Sequence, residues 1–390
     1  MARPNISAEA GLTCLCFLGY LMMGANAVLF PTLLPLLRSD FHLNLATVGI
    51  VFPVNSLGAL AGGLIAGAGS DKRGRKPYLL YPALFSALGM AIATLSHSWA
   101  LFVAGYLVWG MAQGAFSITV NALVMDVSRK AHSKALNYLH GFYSLGATLS
   151  PLIVITLFRY LTSWRTVLGV ACSLWLAMFL LCAAIRFFPE NTPSKSRRNL
   201  FQLSTQPLIL LLFALTFFYN GAAWVLIGWV KTFLQSTNHS SEVATMMLSV
   251  FYCALTIGRF GGASLAGAWG YRRSLMLSAF GALLVYPLVI FPTSIVWIGT
   301  GVFLCALFLA PLYPTAIAYG AQHFTENRGA ITGTLSMALS LGSTLPPYWT
   351  GWLGKEYGLA TALRLNYLLL FPLFAITVCL PVLRSSPSKE

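Results

Sequence analysis

The segment Ser144-Leu-Gly-Ala-Thr-Leu-Ser-Pro151 recurs almost letter for letter as Ser340-Leu-Gly-Ser-Thr-Leu-Pro-Pro347. Each copy lies inside a long apolar stretch. A second pair, Gly62-Gly-Leu-Ile-Ala-Gly-Ala68 and Gly261-Gly-Ala-Ser-Leu-Ala-Gly-Ala268, is separated by a similar interval. Two matches in the same order predict a duplicated unit of about 200 residues, built of membrane spans.

Composition agrees. Of 390 residues, 57% are hydrophobic and only 8% charged, whereas a soluble domain carries roughly 25% charged residues. A globule so poor in polar groups cannot cover itself in water, so lipid is the expected solvent. A span needs about 20 mainly apolar residues. Twelve such runs are predicted, six per repeat: 11–37, 45–69, 78–97, 99–125, 135–160 and 164–186, then 207–231, 242–269, 274–293, 295–322, 330–353 and 359–383. Helices are the expected form, because each must satisfy its own backbone polar groups. The stretch before the first run is short, and that run is long enough to remain as a helix. The predicted fold is an all-α integral membrane protein with twelve spans in two pseudo-symmetric six-helix bundles. Its halves are 1–188 and 207–390, joined by the polar, basic linker 189–206.

The formal charge of +15 does not point to nucleic acid, because the basic residues fall in short loops between spans. With both termini in the cytoplasm, Lys72, Arg73, Arg75, Lys76, Arg129, Lys130, Arg197, Arg198, Arg272, Arg273 and Arg328 all fall inside. The other side receives few: Arg38, Arg159, Arg165, Lys231, Lys355 and Arg364. This is the positive-inside pattern of a multi-pass protein, and the compact loops suggest a bacterial inner membrane. The seven cysteines lie in apolar stretches without metal-site spacing. No cofactor or metal is expected, and nothing requires more than a monomer.

Between spans 2 and 3 stands Gly67-Ala-Gly-Ser-Asp71-Lys72-Arg73-Gly74-Arg75-Lys76. It resembles the major facilitator loop signature G-x-x-x-D-R-x-G-R-R, with Lys72 where the family has Arg. The span count, linker and repeat extend that resemblance over the chain. It implies secondary transport by alternating access. It also implies that Asp71 caps the start of helix 11, around Gly329–Gly333, in the outward-open state, and that Arg75 pairs with Asp126 at the end of helix 4. A carboxylate at a helix N-terminus satisfies free N–H groups and opposes the dipole. The second-half loop, Gly270-Tyr-Arg272-Arg273, lacks the acid. Looser matches resemble the fucose/glucose-type branch: Gly110–Val124 in span 4, Leu139-His140-Gly-Phe-Tyr-Ser-Leu-Gly146 in span 5, and Phe218–Trp229 in span 7. That branch tends to carry acids where this chain has Ser117 and Ala223.

Polar side chains within spans are costly and mark candidate solute contacts. On helix 4, Gln113, Ser117 and Asn121 follow at intervals of four. Asn26 and Asn55 stand out on helices 1 and 2. His140 and Ser144 share a face of helix 5. Tyr219, Asn220 and Trp224 lie on helix 7, with Lys231 beyond them. Tyr252 and Arg259 lie on helix 8, and Tyr313 on helix 10. Amides, hydroxyls and aromatic rings suit a small polar organic solute such as a sugar. Ser and Thr stripes, including Ser336, Ser340, Ser343 and Thr344 of helix 11, equally serve helix packing. Arg259, read as near the cytoplasmic end, either snorkels or faces the cavity; with Lys231, the second option favours an organic anion. All nine acids fall in loops or at span ends. Proton coupling, where it operates, therefore runs through His140. Drug or metabolite efflux is an alternative, although the G-P-x-x-G-G pattern of multidrug antiporters is absent from helix 5. A receptor or scaffold on a transporter fold is another. An intramembrane enzyme is not expected, for want of a nucleophile–base or metal-ligand cluster.

Overall fold

The computed structural model describes residues 6–127, 132–160, 163–185, 206–291, 293–324 and 328–381. The linker 189–206 therefore lies outside the described residues apart from its last position. Twelve helical spans run in order: α1 (Ile6–Asp40), α2 (Leu45–Gly49 continued by Val51–Arg73), α3 (Pro77–Leu95), α4 (Trp99–Val127), α5 (His132–Phe158), α6 (Trp164–Ala184), α7 (Pro207–Ser236), α8 (Ser241–Trp269), α9 (Tyr271–Val285 and Pro287–Ile290), α10 (Ile295–Leu309 and Leu312–His323), α11 (Arg328–Tyr357) and α12 (Leu359–Asn366 through Leu370–Cys379). The breaks in α9 and α10 fall at Pro287 and Pro311, where proline removes a backbone donor. Eleven of the spans are long and apolar enough to cross a membrane. The twelfth, α11, is equally long but rich in Ser, Thr and Gly, because it packs chiefly on α7, α2 and α12.

The halves repeat in three dimensions. The pairs α1–α5, α2–α4, α3–α4 and α3–α6 pack closely, and so do α7–α11, α8–α10, α9–α10 and α9–α12. The register is fixed. A Cβ on Gly62 would collide with the Met111 carbonyl; a Cβ on Gly258 would collide with that of Leu307, the same relationship 196 residues on (62 to 258, 111 to 307). Left-handed backbone recurs at the same interval, at His42 and Asn238 and at Gly74 and Gly270. The sequence pairing of Gly62 with Gly261 is therefore three residues out of register; the structural counterpart of Gly62 is Gly258. Small-residue strings slide along one another easily because each letter matches its neighbours.

The halves meet through α2–α11 and α5–α8. One apolar cluster joins them at the end away from the basic loops, holding Phe52 and Leu45 from one half and Trp229 and Leu359 from the other. There the Gly351 Cα approaches Gly49, and the Ser56 and Ser343 hydroxyls lie 3.1 Å apart. Towards the basic end, a Cβ added to Gly141, Gly261 or Gly333, on α5, α8 and α11, would meet nothing within 4 Å. The first half keeps a separate cluster at that end, around Leu79, Phe116 and Trp175. Among the described residues, the Gly49–Gly351 and Ser56–Ser343 contacts between the halves lie at the end away from the basic loops.

Candidate transport site

Across the two halves, α5 and α8 pack against each other. Arg259 of α8 donates from Nη1 to the Ser144 hydroxyl of α5 at 3.2 Å. Its guanidinium lies within electrostatic reach of His140, Tyr143, Tyr252 and Tyr313. Among the described residues no carboxylate pairs with it. Arg259 lies ten residues before the Trp269 end of α8, about 15 Å at helical rise.

The first half contributes amide and hydroxyl groups. The Tyr20 hydroxyl of α1 meets the Ser117 hydroxyl of α4 at 2.9 Å. Asn121 donates to the Tyr20 hydroxyl and, at 2.8 Å, to the Ser117 carbonyl. His140 meets the Tyr20 ring edge-on with centroids 5.6 Å apart. From the second half, the Tyr313 hydroxyl lies 3.4 Å from that of Ser336. Tyr219 and Tyr252 are buried nearby.

Other predicted contacts lie elsewhere. Asn26 is buried and donates to the Met22 carbonyl of its own helix at 2.9 Å. Gln113 donates to Ser86 of α3 at 3.0 Å. Asn55 packs on Gly110 of α4. Asn220 donates to the Leu339 carbonyl of α11 at 2.5 Å. Trp224 is half-buried against the shared apolar cluster. Lys231 is buried at the end away from the basic loops.

In the loop after α2, Arg75 Nε pairs with Asp126 at 3.1 Å, and its Nη1 donates to Ser70 at 2.9 Å. Gly74 takes φ +82°, a conformation glycine adopts without steric penalty, and so turns the chain between α2 and α3. Gly67 packs beside Ile118, and Arg73 is exposed. The side chain of Asp71, and those of Gly329, Ala330 and Thr332 at the start of α11, lie outside the described residues.

The sequence model of the Major Facilitator Superfamily matches residues 15–347 and 209–390. The chain belongs to the Major Facilitator Superfamily. As a member it is a multi-pass membrane transporter. Its similarity to the Bacillus subtilis (strain 168) protein YfkL, an MFS-type transporter, is 23% identity over 380 residues, covering 92% of both chains. Similarity to the glucose transporter GlcP of Staphylococcus epidermidis is 28% over 174 residues, covering 45% of this chain and 38% of that one. The fold matches that of a bacterial homolog of the human lysosomal transporter Spinster, crystallised inward-facing and unoccupied. That match has a TM-score of 0.82 at 13% identity and covers 97% of each chain.

Sequence reasoning passed over Tyr20 and Tyr143. Both sit in apolar runs, where an aromatic ring usually means core. The signal that could have found Tyr20 lies on another helix: Ser117 and Asn121 need partners within the membrane.

Proposed function

We propose that this superfamily member carries a small organic anion by alternating access, and that the described conformation is open to the cytoplasm. The observation that carries this reading is Arg259, a guanidinium at the α5–α8 contact between the halves, without a carboxylate partner among the described residues. A cation at the centre of a membrane helix is costly to hold, by about 2.5–3.5 kcal/mol on insertion scales. A solute carboxylate or phosphate would offset the cost through paired, charge-assisted hydrogen bonds. Tyr143, Tyr252 and Tyr313 would flank the organic body, while Ser117 and Asn121 would match its hydroxyls or amides.

The orientation rests on charge: the loop end carries Lys72, Arg73, Arg75 and Lys76, which belongs on the cytoplasmic side. On this reading both termini are cytoplasmic and the membrane is a bacterial inner membrane. The halves 1–188 and 207–390 rock about the site, with 189–206 as their tether. The signature loop, through Asp71, Arg75 and Asp126, steadies the outward-open state.

A neutral sugar is the second reading, favoured by the Tyr20–Ser117–Asn121 hydrogen bonds and by the likeness to a glucose transporter. A thermal-shift panel on the purified protein separates the two, using sugar acids and sugar phosphates against their neutral parent sugars. The proposal expects stabilisation by an anionic member that is lost in Arg259→Gln. Stabilisation by neutral sugars alone, equal in wild type and variant, would overturn it.

A further inference from the structure

The first half carries a second cavity, on its outer flank. α2 and α3 each pack along α4 but scarcely touch one another beyond their shared loop. Between them lies a groove of roughly 460 Å³, floored by Met111 of α4 and walled by Ile65 of α2 and by Tyr81 and Phe85 of α3. Ile65, Tyr81 and Phe85 are 59%, 56% and 49% exposed. In a protein whose outer solvent is hydrocarbon, such a groove admits an acyl chain rather than water.

Its mouth is different. Among the described residues Arg73 is the only charged group lining the groove, and the phenol of Tyr78 stands beside it, over Gly69. The neighbouring basic residues are engaged: Arg75 with Asp126 and Ser70, Lys76 with the Ala183 and Ile185 carbonyls that end α6. Arg73 makes no ion pair or hydrogen bond among the described residues. A free guanidinium with a phenol donor, set at the mouth of an apolar slot, is complementary to a phosphodiester carrying a long chain.

We infer that the α2–α3–α4 groove holds one anionic phospholipid, its phosphate between Arg73 and Tyr78 and one acyl chain along Met111. The site is separate from the central cleft, because the groove opens outward from a single bundle and shares no residue with the Arg259 group.

Native mass spectrometry of the full chain in detergent tests this, with added phosphatidylglycerol or phosphatidylcholine of the same acyl chains. Phosphatidylglycerol should be retained in preference to phosphatidylcholine as one strong adduct. Arg73→Gln should cut that preference by about fivefold, the effect of one basic residue near a lipid headgroup. Met111→Trp and Ala112→Phe each fill the groove, and in whichever remains monodisperse both lipid adducts should fall. Free glycerol phosphate in excess should not displace the lipid. Equal retention of the two lipids, a preference unchanged in Arg73→Gln, adducts unchanged in a filled groove, or displacement by glycerol phosphate would each overturn the inference.

Discussion

Lys231 of α7 is 2% exposed, and its Nζ donates a 2.6 Å hydrogen bond to the backbone carbonyl of Thr32 on α1. The bond crosses between the halves at the end away from the basic loops, the closed end of the proposed conformation. The Thr32 hydroxyl does not share in it, being turned to the Val28 carbonyl at 2.8 Å. A buried amine served by one carbonyl is poorly compensated, whereas opening that end would return it to water. The lysine should therefore weaken the closed end relative to an apolar residue.

Replacing Lys231 with Met should make that end harder to open. A buried ammonium with a single carbonyl partner is costly, so an apolar side chain of similar volume should favour the closed end. Lys231→Met should raise the thermal melting point while slowing transport in proteoliposomes. A lower melting point, with a closed end newly accessible to thiol reagents at Phe52→Cys, would contradict this.

The signature loop should matter for turnover rather than for insertion. Asp71→Asn and Asp126→Asn should each reduce uptake while membrane levels, measured by fluorescence of a carboxy-terminal tag, hold. Wild-type rates in Asp71→Asn would remove that residue from the gate. The Arg75–Asp126 pair is half-buried and has geometric support from Ser70. Its loss should therefore exceed the roughly 0.2–1 kcal/mol of an exposed pair.

Close approach of α1 to α5 makes a stability prediction. A Cβ at Gly24 would collide with the Tyr143 carbonyl, whereas Gly141 has open space around it. Gly24→Ala should cost about 1–3 kcal/mol through overpacking. Gly141→Ala should be neutral or slightly stabilising, since alanine is the better helix former by about 1 kcal/mol. Melting curves of the two variants compare them directly; equal melting points would refute the predicted contact.

His140 is exposed and lies edge-on to the Tyr20 ring. If a proton travels with the anion, uptake driven by an inward proton gradient should fall in His140→Ala while counterflow at equal pH persists. Gradient-driven uptake unchanged in His140→Ala would exclude this residue as carrier.

Much of the architecture was legible because lipid imposes a strong rule: apolar runs of span length must be helices, and basic loops report sides. The Ser144–Pro151 repeat also set the correct register, because its polar and proline letters match in only one alignment. The glycine-rich pair at 62 and 261 did not, since small residues align in several ways. Helix α4 shows why the site was harder to read. Residues four apart drift by about 40° around a helix, so Gln113 turns to Ser86 while Ser117 and Asn121 turn to Tyr20. Periodicity locates a stripe but not the helix it faces. Arg259 was ambiguous for the same reason. Only the meeting of α5 and α8 sets it against Ser144.

The central claim is that Arg259 receives the negative charge of the transported solute. Counterflow in proteoliposomes tests it most directly, using a radiolabelled anion that stabilises the purified protein. Exchange should be robust in wild type and partly kept in Arg259→Lys. In Arg259→Gln it should fall by at least about 30-fold, the loss expected when one partner of a buried charge pair is removed. Exchange in Arg259→Gln at the wild-type rate and affinity would contradict the account.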